Sequence, residues 1–301
     1  MSIWTNRHQT PKILLSELPL QEFNPIQERY NERDAIIYAL GVGVGQAPED
    51  PFELGFVYEK ELNILPTFNA TLASPTAWLQ DLKHSIDLTQ LVALSHRLDV
   101  FNQLPSAGSV TSYVRVTHVY DRGIGKGAVI HWERTLVLNE SGQIISRLHA
   151  RALARGNGGF GGEPSPKRND EFVPDRPSDY SVEWQTTKAQ SLLYRQSGDL
   201  NPLHVDPEIA SDAGFARPIL HGLCTLGIVA FNLMKIARYS DTSQIRKIST
   251  RYAGIVYPGE KLLIEFWQEK EQWHFQCKAC ERNSIVLDGG TATLAGSYSS
   301  F

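Results

Sequence analysis

The chain is poor in cysteine: three residues in 301, Cys224, Cys277 and Cys280. So small and odd a number argues against a disulfide framework and suits a reducing compartment. Cys277-Lys-Ala-Cys280 spells CxxC, but no second ligand pair accompanies it. Strand alternation would send the two thiols to opposite faces, so neither metal nor redox chemistry is expected there. No apolar run approaches the ~20 residues of a membrane span, and no membrane partner is expected. Positive charge is not in excess. The formal net charge is −4, which gives no case for nucleic-acid binding. Met1 to His8 lacks the apolar stretch of a secretory signal, and Gly296 to Phe301 is not a Ser-Lys-Leu type of address. A cytoplasmic location is expected.

Dinucleotide chemistry is disfavoured too. Gly156-Asn-Gly158-Gly-Phe-Gly161 spells GxGxxG, but such a fingerprint must open a helix, and Gly162-Glu-Pro-Ser-Pro166 follows. The glycines from Gly41 to Gly45 come after a helical pattern instead of a strand. No cofactor is called for.

What is present is an ordinary globular composition, 42% hydrophobic and 21% charged. From Pro25 the pattern reads as helix, with Ile26, Tyr30, Ile37 and Leu40 on one face. Short helices are predicted around Ala77 to Lys83 and Leu88 to Leu94. Strands are predicted over 109–120, 127–138 and 143–154. A Gly- and Pro-rich stretch then leads to Arg176. Beyond it, 179–197 should begin extended and continue as helix, and 247–253, 261–269, 273–280 and 284–295 read as strands.

The two halves align with each other. Tyr38 precedes Tyr194 by 156 residues (194 − 38), and Leu104-Pro105 precedes Tyr257-Pro258 by 153 (258 − 105). A near-constant offset indicates one plan used twice. At the first offset Gly43 stands where Asp199 stands, and Pro48 where His204 stands. The expected organisation is a first repeat over 1–160, a linker over 161–176 and a second repeat over 177–301.

Chemistry concentrates in Tyr194-Arg-Gln-Ser-Gly198-Asp199-Leu-Asn201-Pro202-Leu-His204, followed by Pro218-Ile-Leu-His221-Gly222. Gly198 and Asn201-Pro202 disfavour a continuous helix there. A fixed turn can bring Asp199 and His204 to one point, where a carboxylate and an imidazole orient a water and move its proton. Leu223 to Ala237 is apolar nearly all round, as a buried helix should be. Gly222 would open it, presenting a free N–H to developing negative charge. Asn201 is expected to fix the loop and Asp206, before Pro207, to cap a helix. His221 either touches substrate or is a structural histidine, and Tyr194 either points into the site or packs.

This segment closely resembles the signature of the (R)-specific 2-enoyl-CoA hydratases, the MaoC-like hydratases that include the peroxisomal 2-enoyl-CoA hydratase 2 type. The resemblance implies an α+β double hot-dog fold: two repeats, each an antiparallel sheet wrapped on a helix, with the chemistry in the second. It implies reversible hydration of trans-2-enoyl-CoA to (3R)-3-hydroxyacyl-CoA, with Asp199, His204 and Gly222 catalytic and without metal or redox cofactor. Tyr194, Asn201, His221 and Arg251 are the substrate-binding candidates. A hot-dog thioesterase and a silent acyl-CoA binder are the other readings.

Acyl-CoA is the expected partner, and a homodimer is compatible with the sequence. Its phosphates call for a cation, and Arg246, Lys247 and Arg251 qualify unless they line a solvated strand edge. The family's His-Gly-Glu-Gln element has no counterpart beyond His96-Arg-Leu-Asp99. The first repeat also lacks a long apolar helix. Room for an acyl chain is therefore expected there, lined by Leu79, Ile86, Leu88 and Leu91.

Overall fold

A computed structural model describes residues 14–73, 77–83, 85–166, 173–238 and 244–295. The two chain ends read above, Met1 to His8 and Gly296 to Phe301, lie outside the described residues, as does 167–172 within the expected linker.

Ten strands form one antiparallel sheet. The first five are β1 (Ile26–Tyr30), β2 (Leu91–Val100), β3 (Gly108–Asp121), β4 (Ala128–Leu138) and β5 (Ile144–Ala154). The second five are β6 (Tyr180–Gln185), β7 (Gln244–Tyr252), β8 (Lys261–Glu269), β9 (Gln272–Ala279) and β10 (Ser284–Ala295). Their spatial order is β1-β3-β4-β5-β2-β7-β10-β9-β8-β6. Read outward from the centre, the two halves carry the same order, β2-β5-β4-β3-β1 and β7-β10-β9-β8-β6. The duplication legible in the sequence is thus a two-fold plan in space, and β2 with β7 is its seam.

The helices are α1 (Glu32–Val42), α2 (Pro51–Leu54), α3 (Gln190–Tyr194), α4 (Pro207–Asp212) and α5 (Gly222–Ala237). Among the described residues no helix is long and apolar enough to cross a membrane. α1 starts at a capping box: Asn31 Oδ1 accepts from Arg33 N–H, and Asp34 accepts from Asn31 N–H, each at 2.9 Å. The expected helical start at Ile26 is corrected here. Ile26–Tyr30 is an edge strand paired with β3, and the helix begins only at Glu32. The second short helix is also cut back: Leu88–Gln90 is a 3-10 turn, and from Leu91 the chain is strand.

α5 is the centre of the core. Leu226, Ile228, Val229, Phe231 and Leu233 are buried and share one apolar cluster with Ile248, Ile264 and Phe275 of the second repeat and Leu98, Val110 and Leu136 of the first. Burying each such side chain contributes about 1.5–3 kcal/mol. The far end of α5 is tied to the first repeat: Lys235 Nζ lies 2.6 Å from Glu53 and 3.1 Å from Asp50, and Arg238 pairs with Asp50. Cations at a helix C-terminus also meet the dipole favourably.

The first repeat has 3-10 turns at Pro66–Ala70, Ala77–Leu82 and Leu88–Gln90 where the second has α5. Of the side chains expected to line room there, Ile86 is buried and Leu79, Leu88 and Leu91 are half-buried. Leu79, Ile86, Leu88 and Leu91 pack with Leu18, Trp78, Leu82, Val116 and Ile130 in a second apolar cluster. Leu18, from the 3-10 segment Leu15–Leu20, is fully buried within it.

The Gly-rich motif has a structural occupation. One Asp121 carboxylate accepts from the N–H groups of Gly123 (2.8 Å), Gly159 (2.7 Å) and Gly161 (2.7 Å). Backbone donors that could face a phosphate face this internal carboxylate instead.

Candidate active site

α3 tightens into a 3-10 turn, Arg195–Ser197, that stops at Gly198 with φ of 116°. That conformation costs a Cβ-bearing residue strain and glycine little. Asp199 follows, half-buried, and its Oδ1 accepts from Asn201 N–H at 3.3 Å. Asn201 Oδ1 in turn accepts from Leu203 N–H at 3.1 Å and starts the 3-10 turn Pro202–His204. Asn201 itself is exposed, so its visible work is to fold the loop. Asp206 caps α4, accepting from the N–H groups of Glu208 and Ile209.

His204 is buried, and its Nδ1 lies 2.8 Å from the backbone oxygen of Ile219. A carbonyl can only accept, so Nδ1 carries the proton and Nε2 holds the lone pair. His221 Nε2 lies 3.1 Å from the Asp199 backbone oxygen, which fixes its proton on Nε2 by the same argument. The two imidazoles stack at 3.7 Å with 30° between planes. Tyr194 lies against His221 at 4.9 Å and is fully buried. Its ring therefore packs behind His221, and burial pushes its phenol well above the usual range.

Asp199, His204 and His221 each offer an atom within 4.8 Å of the others. One nitrogen of each ring is taken by a backbone carbonyl, His204 Nδ1 by Ile219 and His221 Nε2 by Asp199. The spacing suits one water held between the Asp199 carboxylate and an imidazole. Burial lowers the pKa of both histidines, opposed at His204 by the Asp199 charge and reinforced at His221 by His204. The Arg195 charge lowers both further, and sequence reading had given this residue no role.

His221 leads into α5, whose first residue is Gly222. Leu220 N–H donates to Val256 O at 2.7 Å and fixes the approach. A Cβ on Gly222 would stand 2.6 Å from Cε1 of Tyr252, so the position is closed to any larger residue without displacement of that ring. The Tyr252 hydroxyl is 2.7 Å from His96 Nδ1. Neither residue was singled out for the site from sequence. The contact joins positions far apart in the chain, and only the β2–β7 pairing brings them together.

Arg251 is not brought to this cluster. It forms an ion pair with Asp288, which also accepts from Gln276 at 2.9 Å. Its strand β7 lies between β2 and β10, so the reading of Arg246, Lys247 and Arg251 as a solvated strand edge is corrected. In the first repeat, the helix cap equivalent to Gly198 is Gly43. The residue matching Asp199 is then Val44, one place beyond the sequence alignment, and it is buried and apolar.

The family model described as "MaoC like domain" matches residues 170–289, and that described as "MFE-2 hydratase 2 N-terminal domain" matches residues 29–156. "Enoyl-CoA hydratase 2, peroxisomal" of Arabidopsis thaliana is 37% identical, over 86% of this chain and 89% of its own. "Enoyl-CoA hydratase ChsH3" of Mycobacterium tuberculosis is 36% identical, over 88% and 93%. The solved MaoC-like dehydratase from Phytophthora capsici superposes with a TM-score of 0.80 at 27% identity, covering 95% of this chain and all of that one. A more distant structure, at 11% identity and a TM-score of 0.60, is described as a double hot-dog fold, which is the architecture found here.

Proposed function

The chain belongs to the MaoC-like hydratases of the hydratase 2 type, and from that premise we propose that it hydrates trans-2-enoyl-CoA reversibly to (3R)-3-hydroxyacyl-CoA. The observation that carries this reading is the fixed tautomer of His204, with a ring nitrogen of this histidine and an Asp199 carboxylate oxygen within 4.8 Å of each other beside the start of α5.

In the hydration direction the water oxygen bonds to Cβ of the enoyl thioester. The π-electron pair moves through Cα toward the thioester oxygen, where the Gly222 N–H and the positive end of α5 stabilise the enolate-like charge. His204, neutral because burial lowers its pKa, accepts the proton that water loses, while Asp199 holds the water's other hydrogen. His204 then returns the proton it has taken, delivering it to Cα of the enolate, so one water is added across the double bond, the imidazole is neutral again and nothing leaves. Stacking on His221 and the bond to Ile219 hold the imidazole in plane for this exchange.

The test is an assay on crotonyl-CoA and a longer enoyl-CoA that follows enoyl absorbance and free thiol together, with chiral analysis of the product. Loss of enoyl absorbance without thiol, giving the 3R alcohol, supports the hydratase. Stoichiometric thiol release would identify a thioesterase, and a 3S product would contradict the stereochemistry proposed.

A further inference from the structure

Tyr252 ends β7 and lies against the start of α5. A methyl group on Gly222 would meet its Cε1 at 2.6 Å, its Cζ at 2.9 Å and its Cδ1 at 3.1 Å. The ring edge therefore decides where the first turn of α5 can sit. The hydroxyl of the same ring is 2.7 Å from His96 Nδ1, and the two rings meet edge to face at 5.4 Å. His96 belongs to β2, where it stands opposite Thr250 of β7 across the seam. A side chain of the first repeat thus holds the ring that bounds Gly222 in the second.

Both partners are neutral at physiological pH. Burial, with Arg134 as the second cause, pulls His96 down to about 4. Burial pushes Tyr252 up, and the next cause is the charge of Asp199, so the phenol lies within electrostatic reach of the site's acid. A hydrogen bond between two groups that do not titrate near neutrality keeps its geometry throughout the working range.

We propose that Tyr252 is a positioning residue for the hydration and His96 its anchor, together holding the Gly222 N–H where the thioester oxygen becomes charged. The inference rests on the proposed function. The charge met by that N–H develops mainly in the transition state, so a displaced first turn slows turnover more than it weakens substrate binding. Ring packing alone would not need the hydroxyl. The hydrogen bond to His96 is what ties the ring's lean to the opposite repeat.

The test uses the full chain with Tyr252→Phe, His96→Leu, His96→Asn and the Tyr252→Phe/His96→Leu double variant, measuring kcat, KM and Tm on crotonyl-CoA. Tyr252→Phe and His96→Leu are each expected to lower kcat by roughly 10- to 100-fold, the scale of sub-ångström misplacement, with KM changed by less than about threefold. His96→Asn, whose amide can stand near the Nδ1 position, should recover part of the loss. The double variant should be no slower than Tyr252→Phe, because both changes break one link. An active wild type with Tyr252→Phe within about twofold of it in kcat would overturn the inference and leave the functional reading standing. So would a fall in Tm with kcat unchanged, or an Asn variant as slow as Leu. A wild type inactive on every enoyl thioester would sink the functional reading, and this inference with it.

Discussion

The side-chain Nδ1 of His204 donates its proton to the backbone oxygen of Ile219, 2.8 Å away. Ile219 lies on the approach to α5, so the segment that delivers Gly222 also sets the tautomer of the histidine. His204 and Gly222, the proposed base and oxyanion donor, are thereby placed by one stretch of backbone. Asp199 is placed by the other side of the turn, through Gly198 and Asn201.

Replacing either end of the water site should stop hydration without unfolding the chain. Asp199→Asn and His204→Gln are each expected to cost at least ~10²-fold in kcat, the usual scale for lost acid–base help. The double variant should be scarcely slower than the worse single one, because both residues act on one water. Near-normal turnover in either folded variant would exclude the pair.

Gly222→Ala should fail for a steric reason. Its Cβ would press on Tyr252 at 2.6 Å, and that ring is held by His96. Overpacking of this kind costs about 1–3 kcal/mol of stability. The displaced N–H should lower kcat by about 10²-fold or more. Melting temperature and kcat measured on one preparation check both effects. A variant normal in both would show that the ring gives way freely.

Acid should destabilise the protein before its surface carboxylates titrate. Burial lowers His204 and His221, and takes His96 and His131 to about 4. The unfolded chain therefore binds more protons than the folded one below the ordinary histidine value near 6.5. Stability from these groups is fully present above that pH and is lost as pH falls toward 4. Each contributes a slope of at most about 1.4 kcal/mol per pH unit. Carboxylates with lowered values act in a separate, more acid window; Asp50, held by Lys235 first and then by the Phe52 N–H, sits at about 2. Thermal melts from pH 8 to 4 check the sign, and a Tm flat down to pH 4.5 would contradict it.

Much of this was legible in the chain because the motif is local. Asp199, Asn201 and His204 share one turn, and the bonds that shape it span two to three residues. The long strands were legible for a similar reason, since β5 along most of its length, and β4 from Arg134 to Leu138, keep a period-two burial that their residues announce. β1 was not. Its burial runs without alternation and only Tyr30 is buried, so Ile26 and Tyr30, four apart, imitated a helical face. β2 was missed altogether, its start taken for helix, because an irregularity between Ala93 and Ser95 breaks its alternation. The ion pair of Arg251 was hidden because its partner, Asp288, comes from another strand. The contact of Tyr252 with His96 was hidden for the same reason, at greater range.

The link after the first repeat should depend on Asp121. Its carboxylate gathers three N–H groups, two of them from the Gly-rich stretch, and the Gly159 and Gly123 N–H groups hold its pKa below the usual carboxylate range. Asp121→Ala removes all three acceptor contacts while leaving Asp199 and His204 untouched. Faster proteolytic cleavage near 156–162 is expected, with kcat on crotonyl-CoA close to wild type. Unchanged cleavage would mean that the backbone pairing of Asp121 with Glu163 and Pro164 is enough to hold the segment.

Acyl-chain length should bring no steady gain. The side chains expected to line a groove, Leu79, Ile86, Leu88 and Leu91, already pack with Trp78, Leu82, Val116 and Ile130. Ile86 is 2% exposed and Leu82 and Leu18 not at all. An open apolar groove would give each added CH₂ about 0.8 kcal/mol, or tenfold in affinity every two carbons or so. A filled one gives nothing until its contents move, and moving them exposes the same area that the chain would cover. kcat/KM should therefore stay level or fall across trans-2-enoyl-CoAs from four carbons upward. Leu18→Ala separates the two cases. It removes a fully buried side chain of the Leu15–Leu20 segment, at a cost of about 2–5 kcal/mol in stability. If the cluster is what blocks the chain, this variant should gain activity on longer substrates relative to crotonyl-CoA. A wild type whose kcat/KM climbs about tenfold for every two carbons would show that the cluster opens to substrate at little cost, and would restore the groove to the first repeat.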